Sequence, residues 1–123
     1  MILVDTSVWV SHFKYSEDVL VELLKKDAVL CHPLIITEIA CGTPPSPRAR
    51  TLSDMSLLAT STIASQTEVL TMIEQHQLHG KGCGYIDIAL LCSVLLTPAA
   101  RLWTLDKRLD NLSDQFEVKY SSK

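Results

Sequence analysis

The chain has 123 residues, of which 47% are apolar and 20% are charged, which indicates one globular domain and excludes a disordered protein. Eleven basic and fourteen acidic residues give a net charge of -3 and a pI of about 5.7. This balance excludes a general electrostatic attraction to nucleic acid or to anionic membranes, so any polyanion must be held by a local basic rim or by bound cations.

The chain opens with a predicted buried strand that ends in an acid. Residues 2–4 are apolar without alternation, as in strands that are covered on both faces. Asp5 follows this strand, and Thr6 or Ser7 then caps a predicted helix. Open α/β sheets bind their ligands at the carboxyl ends of strands, and an ionised group among apolar neighbours is costly unless it is compensated. Asp5 is therefore a candidate functional residue.

The middle of the chain is predicted to be mostly helical. Apolar spacing, caps and proline positions predict a helix over 16–26, a strand over 28–31, a helix from Pro33 to Gly42, a helix over 47–59 and a helix over 65–78. The last two helices together resemble an antiparallel hairpin, over about 47–79, that is inserted between strands. Glu38 lies close to the apolar stripe of the helix that begins at Pro33, which distinguishes it from an ordinary solvated carboxylate.

Two further acids lie at the ends of predicted elements in the last third of the chain. The most apolar helix is predicted over 85–96, and Asp87 lies in its first turn, where the helix dipole favours an anion. A strand is predicted over 101–105, and Asp106 terminates it. Both acids therefore occupy positions at which α/β proteins place functional groups.

The order of the elements predicts an α/β fold. Strands alternate with helices, and a last edge strand is predicted over 116–120. This order indicates a mostly parallel sheet with helices on both faces. The sequence contains no repeat and no composition shift, so we expect one domain over 1–123.

In such a sheet, strand ends and helix starts fall on the same edge. We therefore expect Asp5, Asp87 and Asp106 to converge, with Glu38 in reach if its helix packs beside the first strand. Clustered carboxylates repel one another unless a cation lies between them, and Mg²⁺ or Mn²⁺ prefers such hard oxygen ligands. Metal-dependent phosphodiester hydrolysis is the leading chemistry for this set.

Hydroxyl groups lie next to two of these acids. Thr104 stands two residues before Asp106 and is a candidate for orienting a carboxylate or the attacking water, as are Thr6 and Ser7 beside Asp5. Local explanations remain open for all of them, because aspartate and these hydroxyl residues are also ordinary caps and turn formers.

Other possible sites have incomplete motifs. Cys31, Cys41, Cys83 and Cys92 have neither zinc-knuckle nor redox spacing and are interpreted as reduced core thiols. His76 and His79 are three residues apart, but no further ligand joins them, so a zinc site is not predicted. The glycine-rich segment 80–84 lacks the spacing of a phosphate-binding loop.

Each of the four acids lies in a short motif: Val4-Asp5-Thr6-Ser7-Val8-Trp9-Val10, Ile36-Thr37-Glu38-Ile39-Ala40-Cys41-Gly42, Gly82-Cys83-Gly84-Tyr85-Ile86-Asp87-Ile88-Ala89-Leu90-Leu91 and Leu102-Trp103-Thr104-Leu105-Asp106-Lys107-Arg108-Leu109. In this order, over a chain of this length, the motifs resemble those of the PIN-domain family, and within it the VapC-type toxin ribonucleases of toxin–antitoxin pairs. The similarity covers essentially the whole chain, and none of the four acids is missing.

The resemblance implies a Rossmann-like three-layer α/β/α sandwich with a mostly parallel five-stranded sheet. It implies that Mg²⁺ or Mn²⁺ is held by Asp5, Glu38, Asp87 and Asp106, and that RNA is cleaved endonucleolytically. It also implies a cognate VapB-type antitoxin and a homodimer. A cytoplasmic protein without a signal peptide is expected, because Asp5 interrupts the N-terminal apolar run and the run over 88–96 is too short to span a bilayer.

Basic residues near the motifs are candidates for substrate binding, namely Arg48, Lys81, Lys107 and Arg108, with Arg50 as a further member of the rim. For any single one, an ordinary solvated surface charge is the simpler explanation. Two other classes of protein remain as alternatives. A catalytically idle RNA- or protein-binding module would lack at least one acid, and a phospho-accepting regulatory domain would carry paired acids after the first strand, where only Asp5 stands.

Overall fold

A buried central strand organises the fold of this chain, whose computed structural model describes residues 1–121. Strand β1 (Ile2–Val4) is buried throughout and pairs in parallel with β2 (Val29–Cys31) and β4 (Arg101–Trp103). Strand β3 (Ala59–Thr60) pairs in parallel with β2, which gives the order β3-β2-β1-β4. The prediction of an α/β fold with a parallel sheet is confirmed.

Helices flank this sheet, and in the described residues they are α1 (Thr6–Tyr15), α2 (Asp18–Lys25), α3 (Pro33–Cys41), α4 (Arg48–Ser56), α5 (Gln66–His76), α6 (Tyr85–Leu95) and α7 (Lys107–Gln115). Local chemistry sets several of their ends. The predicted capping box of α5 is present, because Glu68 N–H donates to Ser65 Oγ at 3.1 Å and Ser65 N–H donates to Glu68 Oε1 at 2.8 Å. Helix α3 begins with Pro33 and is capped by His32 Nδ1.

Helix α6 lies at the centre of the core. Its residues 88–94 are all buried, because α5 packs against one side of the helix and α7 and β4 contact it elsewhere. A helix that is apolar around its whole circumference needs such cover on every side. This packing fixes the position of the first turn of α6, which carries Asp87.

The sheet has four strands in the described residues and not the predicted five. Over 116–120 the backbone makes a single parallel bridge, between Lys119 and Leu102 of β4. Leu102 N–H donates to Val118 O at 2.8 Å, and Tyr120 N–H donates to Leu102 O at 2.9 Å. Helix α7 ends at Gln115 with Phe116 as its C-cap, so the predicted strand loses its first residue and too few residues remain to pair along the whole of β4.

The predicted helical hairpin over about 47–79 is interrupted by β3. Helix α4 ends at Ser56, and residues 59–60 then pair with Leu30 and Cys31 of β2. Helix α4 packs against α3, whereas α5 packs against α6. The segment is therefore a crossover that contributes a strand to the sheet. Both residues of β3 are exposed, so this strand has no apolar pattern by which the sequence could show it.

The cysteines are free thiols, but they are not all in the core. Cys31 and Cys92 are buried and Cys83 is half-buried, whereas Cys41 is exposed at the end of α3, contrary to the prediction. None of the helices in residues 1–121 combines the length and apolarity that a bilayer crossing requires.

Candidate active site

Asp5 lies immediately after β1 and is 6% exposed. Its backbone N–H donates to Trp103 O at 2.9 Å, which continues the pairing of β1 with β4. Its Oδ2 accepts hydrogen bonds from Ser7 Oγ and from Thr104 Oγ1, both at 2.7 Å. Two hydroxyl groups, and no basic residue of the described chain, therefore orient this buried carboxylate.

The same two hydroxyls tie Asp5 to the segment that follows β4. Ser7 Oγ accepts from Leu105 N–H at 3.0 Å, and Thr104 Oγ1 accepts from Asp106 N–H at 3.0 Å. Thr104 is 5% exposed, and its hydroxyl lies 3.3 Å from that of Ser7. Thr104 thus links the Asp5 carboxylate with the backbone of Asp106.

Glu38 reaches this region from α3. Helices α1 and α3 pack together, and Thr6 Oγ1 donates to Glu38 Oε1 at 2.6 Å. Thr6 directly follows Asp5, so this contact brings the half-buried Glu38 carboxylate to the edge that carries Asp5. The Glu38 helix therefore meets this edge through α1, the helix that follows the first strand.

Asp87 lies in the first turn of α6, where its Oδ2 accepts from Gly84 N–H at 3.3 Å. Burial raises the pKa of Asp87, and the negative charges of Asp5, Asp106 and Glu38 raise it further, against the lowering effect of the Gly84 hydrogen bond. Asp5, Asp106 and Glu38 therefore all lie close enough to Asp87 for their charges to act on it.

Asp106 is exposed and caps α7, because its Oδ1 accepts from Leu109 N–H at 3.0 Å. In residues 1–121, ion pairs join Lys25 to Glu22, Arg50 to Asp54 and Lys119 to Asp110, and none of them includes one of the four acids. The acidic edge is therefore not neutralised by basic side chains of the described chain.

The four acids are neighbours, but their side chains do not close around one point. Within residues 1–121, no group of three or more aspartate, glutamate, histidine or cysteine side chains is arranged to hold a metal ion. The donors are nevertheless carboxylate oxygens without basic partners, which is the set that Mg²⁺ and Mn²⁺ prefer. In donor chemistry, the residues of this edge fit a divalent ion.

The basic residues predicted to bind substrate have different surroundings in the structure. Lys107 and Arg108 are exposed in the first turn of α7, directly after Asp106, and Lys81 is exposed in the loop before α6. Arg48 instead donates from Nη2 to Ala40 O at 2.9 Å, near the end of α3. Arg50 is engaged with Asp54 at 3.9 Å.

Gly82 opens the third sequence motif, but no role of its own was predicted for it. A Cβ atom at Gly82 would lie 2.6 Å from Cδ of Arg108, so the arginine arm crosses directly over this residue. Gly80 and Gly84 have no atom within 4 Å of the corresponding position. The sequence gives no sign of this contact, because Arg108 lies in α7, 26 residues away along the chain.

No protein-family model matches the chain. Two curated relatives do, both named ribonuclease VapC32 and both from Mycobacterium tuberculosis, strains CDC 1551 / Oshkosh and ATCC 25618 / H37Rv. Each is 45% identical to this chain over 109 residues, which cover 89% of the chain and 87% of the relative. Given this identity over most of both lengths, and the α/β fold described above, the chain belongs to the VapC-type PIN-domain family.

Proposed function

We propose that this protein is an endoribonuclease, the toxin of a VapBC-type toxin–antitoxin pair, and that divalent metal ions support its hydrolysis of RNA. The observation that carries the proposal is the edge of four carboxylates, at which the other acids raise the pKa of Asp87 and no described basic residue forms an ion pair. The relatives named ribonuclease support the same activity.

In this proposal, Mg²⁺ or Mn²⁺ is held by Asp5, Glu38, Asp87 and Asp106. When bound, such an ion supplies charge stabilisation at phosphate oxygens and a water molecule of lowered pKa. The chain itself supplies orientation: Thr104 and Ser7 fix the Asp5 carboxylate, and Thr6 fixes that of Glu38. These hydroxyls hold the acids ready, so that less reorganisation is needed at the moment of reaction.

The substrate in this proposal is RNA, bound along the acidic edge by basic residues at its border. Lys107 and Arg108 directly follow Asp106, and Lys81 is exposed in the loop before α6, whereas Arg48 is engaged at the end of α3. The chain carries few positive charges, which favours recognition of a particular RNA shape over indiscriminate binding.

The proposed partners are a VapB-type antitoxin and a second copy of the chain. An antitoxin segment that brings an arginine or lysine would complement the unpaired acids. A cavity of about 460 Å³ beside Glu38, lined also by Val10, Phe13 and Ile39, offers apolar surface to such a segment. Co-purification with the neighbouring gene product and a mass measurement in solution test these two partners separately.

The proposed activity is tested by RNA cleavage with Mg²⁺, with Mn²⁺ and after chelation, comparing wild type with Asp5→Asn. The amide has nearly the same shape as the carboxylate but no charge, so we expect most activity to be lost while the fold is kept. Asp54→Asn is the matched control, because Asp54 is an exposed acid paired with Arg50. Equal cleavage by wild type and Asp5→Asn would contradict the assignment.

The alternative of an idle binding module makes a different prediction for the same proteins. It expects RNA or a protein partner to bind equally well to wild type and Asp5→Asn, with no cleavage by either. A thermal melt with added Mn²⁺ gives a second readout, because an ion at a hundred times its Kd stabilises a folded protein by about 2.7 kcal/mol. We expect that gain for wild type and a smaller one for Asp5→Asn.

A further inference from the structure

The Arg108 side chain lies across the loop that precedes α6. A Cβ atom at Gly82 would be 2.6 Å from Arg108 Cδ, 2.8 Å from Nε and 3.0 Å from Cζ, so only glycine leaves room for this arm. Arg108 Nη1 donates to Gly82 O at 3.4 Å. Gly82 also has a φ of +83°, a conformation that side chains rarely adopt. The loop and the start of α7 are therefore in direct contact at this glycine.

This contact places the Arg108 side chain against the loop that leads to Asp87, and no ion pair joins Arg108 to an acid of the described residues. Burial and the charges of Asp87 and Asp106 raise the pKa of the Cys83 thiol, and the charge of Arg108 lowers it. All three charged groups therefore lie near this thiol. Within residues 1–121, however, Arg108 forms no ion pair, and its one hydrogen bond is the long contact to Gly82. Most of its five N–H donors therefore remain available.

Helix stability does not explain a cation at this position. Arg108 and Lys107 lie in the first turn of α7, where the partial positive charge of the helix terminus disfavours basic residues. An exposed arginine that packs on the Gly82 backbone, follows Asp106 by two residues and pairs with no acid of the described chain is suited to a bidentate contact with a ligand anion. The anion that must approach this edge in the proposed reaction is a phosphate.

We infer that Arg108 binds a backbone phosphate of the RNA strand next to the acids, and that Gly82 is a positioning residue that keeps the guanidinium there. This inference rests on the proposed ribonuclease function and names one contact of that site. A side chain at Gly82 would displace the arm of Arg108 and move its guanidinium away from the acidic edge. Gly82→Ala and loss of the arginine should therefore have the same effect.

The test is the affinity of a fluorescently labelled oligoribonucleotide in Mg²⁺, measured in proteins that also carry Asp5→Asn so that the probe is not cleaved. We expect Arg108→Gln to weaken binding roughly tenfold and to reduce the slope of log affinity against log salt by about 0.7, the loss of one phosphate contact on a single strand. Gly82→Ala should give the same two changes, and the double variant should bind no more weakly than Arg108→Gln alone.

Gly80→Ala is the matched control. Gly80 lies in the same loop with a φ of +69°, but nothing lies within 4 Å of its added Cβ. It therefore carries the same kind of backbone strain without the collision, and we expect its RNA affinity to stay within about twofold of the parent protein. Circular dichroism melts establish that each variant is folded. Arg108→Gln alters an exposed side chain, so it should fold, and its RNA affinity tests the phosphate contact even if Gly82→Ala does not fold.

The outcomes separate this inference from the proposed function. If wild type cleaves RNA but Arg108→Gln leaves affinity and salt slope unchanged, the phosphate contact is rejected and the ribonuclease assignment stands. If Gly82→Ala behaves like Gly80→Ala, or if its effect adds to that of Arg108→Gln, the positioning role of Gly82 is rejected. If wild type neither binds nor cleaves RNA, the proposed function fails and the inference fails with it.

Discussion

The hydroxyl of Thr104 donates a 2.7 Å hydrogen bond to Oδ2 of Asp5, although 99 residues separate the two in the chain. The parallel register of β1 and β4 brings them together, because Val4 is paired with Trp103 and each residue directly follows its strand. The orientation of the first acid therefore depends on the position of a strand near the other end of the chain.

Replacing Thr104 by valine should lower RNA cleavage by about ten- to a hundredfold, because the partners that orient metal-ligating carboxylates typically contribute that much. The free energy of unfolding should also fall by about 1–2 kcal/mol, since a buried hydrogen bond to Asp5 and one from Asp106 N–H are lost. Thr104→Ser should keep both properties near wild type. Thr71→Val, at an exposed position on α5, is the control, and activity of Thr104→Val equal to that control would contradict the orienting role.

The contact between Thr6 and Glu38 leads to a second prediction. Thr6→Val removes the hydroxyl that donates to Glu38 Oε1 at 2.6 Å, and it frees the carboxylate to change its rotamer. We expect kcat to fall by about tenfold with little change in the unfolding midpoint in urea, because the site is only half-buried. Thr37→Val is the matched control, since Thr37 neighbours Glu38 but donates to Pro33 O on the exposed side of α3. Equal rates for the two variants would show that Glu38 needs no such restraint.

The raised pKa of Asp87 leads to a prediction about stability against pH. The pKa of Asp87 in the folded state lies above the ordinary 3.8, so between these two pKa values the folded state binds more protons than the unfolded state. The stability of wild type therefore falls as pH rises from 3.8 through the folded pKa. Above the folded pKa the charged form is disfavoured in the folded state. Without divalent ions at pH 7, Asp87→Asn should therefore melt at a higher temperature than wild type, and the difference should shrink as pH falls towards 3.8. A lower melting temperature for the variant at pH 7 would contradict the repulsion.

The opposite sign is expected at His32, which is 3% exposed and accepts from Leu34 N–H through Nδ1. Burial lowers its pKa below 6.5, so stability is fully present above pH 6.5 and is lost as pH falls through the lowered value. His32→Asn keeps a cap acceptor but does not titrate, and the fall in melting temperature from pH 7.5 to 5.5 should be smaller than in wild type. The exposed His79→Asn is the control and should retain the full pH response.

Local patterns in the sequence predicted a strand or helix correctly where neighbouring residues themselves carry the signal. The unbroken apolar run before Asp5 predicted β1, and Ser65 with Glu68 predicted the start of α5. Such patterns predicted the wrong element where a strand forms only because it pairs with a distant part of the chain. Strand β3 is two exposed residues that exist only because β2 offers them a free edge, and the segment over 116–120 was shortened to one bridge by the length of α7.

The sequence by itself determined the fold class, the four acids and their family, because apolar periodicity, helix caps and short motifs are properties of neighbouring residues. Only the tertiary structure decided which contacts join those acids to distant parts of the chain. The hydrogen bond of Thr104 to Asp5, the contact of Thr6 with Glu38 and the crossing of Arg108 over Gly82 each join residues that are far apart in the sequence. Such contacts depend on strand register and helix packing, which are set by the whole core and cannot be read from any one stretch of chain.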